Sequence, residues 1–450
     1  MDYKTSMTEG SIWKKMLLFC IPLIFGNIFQ YLYSTVDSII VGRLVGETAL
    51  AAVGVCDPVI SLVIGLCAGA SGGAGVVISQ YYGAKNETEL KKAVHTTISI
   101  GVILGIIIQV ATVLLTPLVL KWINTPEDVV QQATIYLRTY FSGMVFTLVF
   151  NMAAGILNAV GNSKMNMIYL SIASVMNIIL DLVFVIVFRW GIFGAAFATL
   201  ISQAFTCACA ITFLVRCDDP MYRLDLKLLR ADKGVSLKIF SLGIPTAMQN
   251  MVRCFANIVV QAGINGFGSL AVAGYAAYLR VDNILWLPLM SLGMAASTFT
   301  GQNIGAGQFD RAKKGAWVSG AASAVFTIAF SILIIILRYP LIGIFNDNPE
   351  VIHYGVLTLW GYIPLYWVFS VYNTLCGTIN GAGKTFVSMV ISIATMCAMR
   401  IVMLWIATSM EFGFLEFMCI VFPATWIVAM AAVMIYMWKA DWMGIRNNRI

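Results

Sequence analysis

Charge is scarce in this sequence, and so are the side chains on which catalysis and metal binding usually rely. Only 11% of the 450 residues are charged, against about 25% in ordinary soluble domains, which excludes a conventional soluble globule. The only two histidines, His95 and His353, have no second ligand or nucleophile to work with. They build no metal, haem or catalytic centre, and both read as structural or interfacial. The ten cysteines lie in or beside apolar runs without a CxxC pair, so they read as small buried hydrophobes, not as disulfides or metal ligands. Gly377–Thr385 looks like a phosphate-binding loop, but the first glycine of that motif would fall at 378, which is a threonine, and no strand precedes it. With no ATP-binding domain and no clustered catalytic set, an enzyme is not expected, and any pumping must draw on an ion gradient.

What the chain has in abundance is apolar length. Hydrophobic residues make up 60% of it, and twelve runs approach the roughly 20 residues that cross a bilayer. They cover 15–41, 48–72, 93–115, 131–155, 165–188, 192–215, 239–263, 271–298, 315–337, 352–377, 385–408 and 416–438. The first run is too long and polar for a signal-peptide core and reads as a retained helix. An all-α integral membrane protein of twelve spans follows, with an N-terminal six-helix lobe (1–216), a cytoplasmic linker (217–238) and a C-terminal six-helix lobe (239–450).

The basic residues orient it. Arg138, Arg253, Arg280 and Arg400 fall inside spans. One side of the membrane receives Lys4, Lys14, Lys15, Lys85, Lys91, Lys92, Lys164, the six of the 216–238 loop, Arg311, Lys313, Lys314, Lys384, Lys439, Arg446 and Arg449. The other receives Arg43, Lys121, Arg189 and Arg338. By the positive-inside rule both termini are cytoplasmic. The net charge of +7 therefore describes cytoplasmic loops, not a nucleic-acid surface. The expected setting is the inner (plasma) membrane.

The two halves repeat. Gln80-Tyr81-Tyr82-Gly83-Ala84, with Lys91-Lys92, returns 222 residues later as Gln302-Asn303-Ile304-Gly305-Ala306 with Lys313-Lys314. Pro22 and Asn27 answer to Pro245 and Asn250, Pro117 to Pro340, Pro126 to Pro349, and Asn158 with Gly161 to Asn380 with Gly383. A period this long is a duplicated half-protein, not a solenoid. In a membrane that pattern points to a transporter with its site between the halves.

Polar residues inside the spans mark where that site should lie, because ionisable groups at bilayer depth are costly and usually functional. Asn27, Gln30, Ser34 and Asp37 line one face of the first span. Asn250, Arg253, Asn257 and Gln261 repeat the stripe on the seventh, and both stripes suit a wet cleft. Asn177 and Asp181 are an i, i+4 pair on the fifth span, and Thr199 and Gln203 share that spacing on the sixth. If these spans pack together, Asp37, Asn177, Asp181 and Thr199 form an oxygen-rich pocket. Two carboxyls in a poorly hydrated site cannot cheaply both stay ionised, so a proton or a cation should sit with them. The alternative is a hydrogen-bonded structural pair. The C-terminal half differs: Met399 and Met403 answer Asn177 and Asp181, Val260 answers Asp37, and Arg253 answers Gln30. There Arg253, Met399 and Arg400 are further cleft candidates, Arg400 reading equally well as a structural residue. Asp57, beside Pro58, is a candidate kink contact, and Arg280 and Asp282 are too close in sequence to share a helical face. The aromatics around Trp360-Gly361-Tyr362-Ile363-Pro364-Leu365-Tyr366-Trp367 suit either an adaptable cleft or a lipid-facing belt, mostly the latter.

The stretch from Val36-Asp37 to Val41-Gly42, then Gly46-Glu47-Thr48-Ala49-Leu50, together with the two paired loop signatures, resembles the multidrug and toxic compound extrusion (MATE) family across essentially the whole chain. The resemblance implies a V-shaped fold of two six-helix bundles, and export of organic compounds in exchange for protons or sodium by alternating access. It is closest to the DinF-like branch, in which the residues matching Asp37, Asn177, Asp181 and Thr199 sit in the N-terminal lobe. The NorM-like branch instead uses acidic residues where this chain has Arg253 and Phe369. The expected function is thus a cation-coupled antiporter. Asp37, Asn177, Asp181 and Thr199 would take H+ or Na+, a sodium ion resting on Asp37 and Asp181, and ion binding would bend the first helix at Pro22. Asn27, Gln30, Ser34, Asn250, Arg253, Asn257, Met399 and Arg400 would line the substrate cleft. Small organic substrates and the bilayer are the expected partners, with no cofactor beyond the coupling ion and a monomer as the working unit. The alternative is a flippase for an anionic lipid-linked or polysaccharide precursor, whose headgroup would suit Arg253 and Arg400.

Overall fold

A computed structural model describes residues 6–444 of the chain; Lys4, Arg446 and Arg449 lie outside them. Among the described residues every regular element is a helix. The long ones are α1 (Ile12–Ile40), α2 (Glu47–Gly83), α3 (Glu87–Trp122), α4 (Glu127–Phe141), α5 (Met144–Ala159), α6 (Ser163–Leu182) and α7 (Gly191–Arg216), then α8 (Lys233–Asn265), α9 (Ser269–Gly305) and α10 (Phe309–Ile336). After the short α11 (Arg338–Gly343) come α12 (Pro349–Tyr362), α13 (Tyr366–Gly381), α14 (Thr385–Ser392), α15 (Met399–Ser409), α16 (Phe414–Cys419) and α17 (Thr425–Lys439).

Ten helical runs are long and apolar enough to cross a membrane, and α4 with α5, bent by 46°, makes an eleventh. The twelfth, α8, is 33 residues long but is diluted by Gln249, Asn250, Arg253, Asn257 and Gln261. All twelve sequence-read runs thus fall on helices, and the chain is a multi-pass membrane protein. Its large apolar side chains are exposed as lipid contact requires: Leu114, Val325, Ile336 and Trp438 are each more than 60% exposed.

Local chemistry starts and stops these helices. Asn86, Asn162 and Asn348 cap α3, α6 and α12 by accepting from the backbone N–H of Glu89, Met165 and Glu350. Gly46 and Gly268, 222 residues apart, precede α2 and α9 with φ of 129° and 94°, a region that disfavours side chains. Gly161 and Gly383 do the same after α5 and α13, which makes the loop-like Gly377–Thr385 segment a helix end followed by a turn. Several spans carry π-helical turns, at Val41–Val45, Val183–Val187, Ile393–Ala398 and Ile420–Ala424. Such turns are energetically poor and favour functional positions. The first two follow Asp37 and Asp181 within a few residues.

Two compact units emerge. The first comprises Ile21–Ile244, the second Ser6–Cys20 with Pro245–Ile450. Both α1 and α8 are therefore divided, and each division falls at a repeat-related proline, Pro22 or Pro245. Within each unit one close helix crossing is duplicated. In the first, α2 meets α5 where a Cβ on Gly155 would lie 2.7 Å from Ser71 Oγ. In the second, α9 meets α13 where a Cβ on Gly377 would lie 2.2 Å from the Gly293 carbonyl oxygen. Small residues let the backbones approach, as membrane helix pairs require.

The repeated loop signatures act as sockets for the chain leading into α1 and α8. In the second unit, Met7 is fully buried. Its N–H donates to Gln302 Oε1 (2.9 Å), and its carbonyl accepts from Asn303 Nδ2 (3.2 Å) and Arg311 Nη2 (3.2 Å). In the first unit, the Asp225 N–H donates to His95 Nε2 (3.0 Å), the Asp232 N–H to Thr96 Oγ1 (3.1 Å), and Lys238 Nζ to the Tyr81 hydroxyl (2.8 Å). His95 is thus structural. Combining Gln302→Ala with Arg311→Ala leaves the buried Met7 N–H without its acceptor and its carbonyl with Asn303 alone, and should lower unfolding stability by about 1–3 kcal/mol. A thermal melt of purified protein checks this, with exposed Lys313→Ala as the unchanged control.

Candidate functional site

In the first unit the polar stripe of α1 is graded. Gln30 and Ser34 are exposed, Asn27 is half-buried, and Asp37 is only 6% exposed. Asp181 on α6 is fully buried, as are Asn177 and Thr199 to within a few per cent. With its amide oriented to suit both neighbours, Asn177 Nδ2 donates to Asp181 Oδ2 (3.2 Å) and its Oδ1 accepts from the Thr199 N–H (3.3 Å). The i, i+4 spacing on α6 and the facing turn of α7 therefore build one constellation. Asp37 and Asp181 lie within electrostatic reach of each other, and Tyr33 is within reach of both. The half that carries Asp37 packs against α6 near Gly26, where Met167 and Leu170 approach.

Two features of these carboxyls matter chemically. Oδ1 of Asp37 and Oδ1 of Asp181 are both buried without a hydrogen-bond partner. Among the described residues, no lysine or arginine stands within ion-pair distance of either, unlike the exposed pairs Lys91–Glu87 and Lys92–Glu89. An uncompensated pair of buried carboxyls repels itself and needs a positive particle. Gln203 is not part of this group. It pairs with Thr147 and donates to the Tyr140 hydroxyl (3.4 Å), tying α7 to α4 and α5. Asp57 is exposed on α2, with Asp37 within its electrostatic reach.

In the second unit the stripe on α8 divides. Arg253 reaches Asn250 Oδ1 (3.4 Å) and lies over the Trp286 ring at 4.3 Å. Asn257 is exposed, and Gln261 turns to Asn265 (3.0 Å). Arg400 is 3% exposed, held by Met396 Sδ, Thr425 Oγ1 and the Phe422 ring, while Met399 beside it is half-buried. Asp282 pairs with neither arginine: it accepts from the Tyr278 hydroxyl (3.1 Å) and from Tyr366. Arg280 is exposed.

The tenth-span aromatics require a correction. The sequence reading puts most of them at a lipid-facing belt, but Tyr362, Tyr366, Phe369 and Tyr372 are buried inside the second unit, with Trp360 alone of that segment's rings strongly exposed. The cause is a cross-helix stack: Phe422 and Trp426 meet Tyr362, Tyr366 and Phe369 at centroid distances of 4.3–5.7 Å. Edge-to-face and offset contacts of this kind add to the burial of the rings themselves. Trp286, which carries Arg253, escapes sequence reasoning because nothing in its own helix marks it.

Comparison with known proteins agrees with this architecture. The family model described as MatE matches twice, over residues 22–183 and 245–406, once per half. The probable multidrug resistance protein YoeA of Bacillus subtilis (strain 168) is 30% identical over 400 residues, spanning 86% of this chain and 85% of that protein. YpnP of the same organism, also a probable multidrug resistance protein, is 27% identical over 395 residues, with 87% and 88% coverage. A solved structure described as the outward-facing conformation of a multidrug resistance MATE family transporter of the MOP superfamily superposes with a TM-score of 0.88. It covers 97% of this chain and 96% of that one at 21% identity, a likeness of fold. With the family model satisfied in both halves and the fold shared along nearly the whole chain, this protein belongs to the MatE (multidrug and toxic compound extrusion) family.

Proposed function

We propose that this protein exports organic compounds from the cell in exchange for a cation, H+ or Na+, by alternating access. The observation that carries the reading is the pair of buried, unpartnered carboxyl oxygens on Asp37 and Asp181, with Asn177 fixed between Asp181 and Thr199. Oxygen donors alone suit a sodium ion or a shared proton equally. When the cation leaves, the two carboxyls repel, and α1 repacks at Pro22, where a backbone hydrogen bond is already missing. The multidrug names of the relatives support organic compounds as cargo and weigh against the lipid-linked alternative. The distribution of basic residues supports inner-membrane insertion with both termini cytoplasmic. All four ion-site side chains come from one unit of one chain, which supports a monomer as the working form.

Efflux from inverted membrane vesicles, with a proton gradient and a sodium gradient imposed in separate experiments, tests the proposal. One gradient should accelerate dye movement several-fold over vesicles lacking the protein. Indifference to both would overturn coupled export.

A further inference from the structure

The second unit holds positive charge that its own acid does not neutralise. Arg253 is half-buried, and apart from the long contact to Asn250 its N–H donors take no protein partner among the described residues. Arg400 is almost wholly buried, and its Nε has no partner. Among the described residues no carboxylate lies within ion-pair distance of either, and Asp282 is engaged by tyrosine hydroxyls. Both guanidinium groups lie within electrostatic reach of Tyr372, so their fields overlap there. A guanidinium moved out of water without a counter-charge is costly, and cation–π contact on Trp286 or Phe422 returns only about 0.5–2 kcal/mol of that cost.

The aromatic cluster beneath Arg253, of which Trp286 is half-buried, gives this charge a context. Trp286 stacks on Phe369 at 5.6 Å and 27°, and Phe369 continues to Tyr372 at 6.2 Å. Arg253 Cζ lies 4.3 Å from the Trp286 ring centroid, and a guanidinium presents paired N–H donors in one plane. Such a fork can receive a carboxylate, sulfonate or phosphate through two parallel hydrogen bonds.

We propose that the second unit carries a recognition subsite for organic anions: Arg253, mounted on Trp286, takes the acidic group of an aromatic compound whose ring lies against the half-buried Trp286. The buried charge of Arg400 strengthens the attraction without touching the ligand. This inference rests on the export reading above and names its substrate class.

Two dyes with the same xanthene skeleton and opposite charge, carboxyfluorescein and rhodamine 123, test it by equilibrium binding to purified, detergent-solubilised protein. Native protein should prefer the anion. Arg253→Gln should weaken anion binding about tenfold or more, equivalent to about 1.4 kcal/mol, and leave the cation unmoved; Arg253→Glu should reverse the preference. A purely structural Arg253 would change both dyes together, and that outcome, or a native preference for rhodamine, overturns the proposal. If neither variant folds, Arg253→Lys and the salt dependence of native binding decide, since loss of anion preference in high salt supports the charge and an unchanged preference refutes it. The binding assay uses no gradient, so absent coupling in vesicles and absent charge selectivity here remain separate failures.

Discussion

Asp181→Asn should reduce gradient-driven efflux to the level of vesicles without the protein, and Asp37→Asn should do the same. Each change keeps the side chain's shape and removes the charge a cation binds, so the loss should be one of coupling and not of folding. Both carboxyls lie where an unpaired negative charge is costly, and each has one oxygen without a partner. Neutral asparagine should leave thermal stability unchanged or slightly raised, because a repulsion disappears. The measurement is initial efflux rate alongside a melt of the same preparation. Full efflux by either variant removes that residue from the proposed ion site, while a collapsed melt would make it a structural acid.

Gly377→Val should prevent accumulation of folded protein. Even the first carbon of a side chain at this position would sit 2.2 Å from the Gly293 carbonyl, and backbone cannot step aside as a side-chain tip does. The penalty should reach about 3 kcal/mol or more, at the upper end for overpacked cores. Gly320→Ala is the matched control: it is buried in the same unit, yet its new carbon would meet nothing closer than Leu375 at 3.7 Å. Fluorescence-detected size exclusion of membranes expressing each variant separates the two. Equal monodisperse peaks would show that α9 and α13 can part at this crossing without harm.

These cases also show what a reader of residues alone can recover. The offset of 222 residues, the twelve runs and the Asn177–Asp181 spacing were legible because periodicity and helical geometry act locally. Thr199 was legible as a candidate, since its own helix carries a polar residue among small apolar ones. The division of α1 and α8 between two units was not, because no local signal tells a continuous helix which neighbours its first turns will touch. Nor was Trp286 under Arg253: cation–π pairing leaves no mark at fixed sequence spacing. The sequence places most tenth-span rings outward because aromatics at span ends commonly anchor at the interface; their stacking on Phe422 and Trp426 depends on a span some 60 residues away. Gln203 shared the spacing of Thr199 yet faces Tyr140 and Thr147, since i, i+4 spacing gives a common face but not a common partner.

The socket around Met7 has a bearing on biosynthesis. Its partner Gln302 is 295 residues further along, so at typical elongation rates of about 5–20 residues per second the strap waits roughly 15–60 seconds for its receptor to be made. The strap before α8 has no such delay, since His95 and Thr96 are translated well before Asp225 and Asp232 reach them. The first lobe's seam can therefore close as soon as its strap is made, whereas the second lobe's strap waits for Gln302, Asn303 and Arg311. The strap before α1 thus stays undocked, and open to proteases and chaperones, until Gln302 has been made.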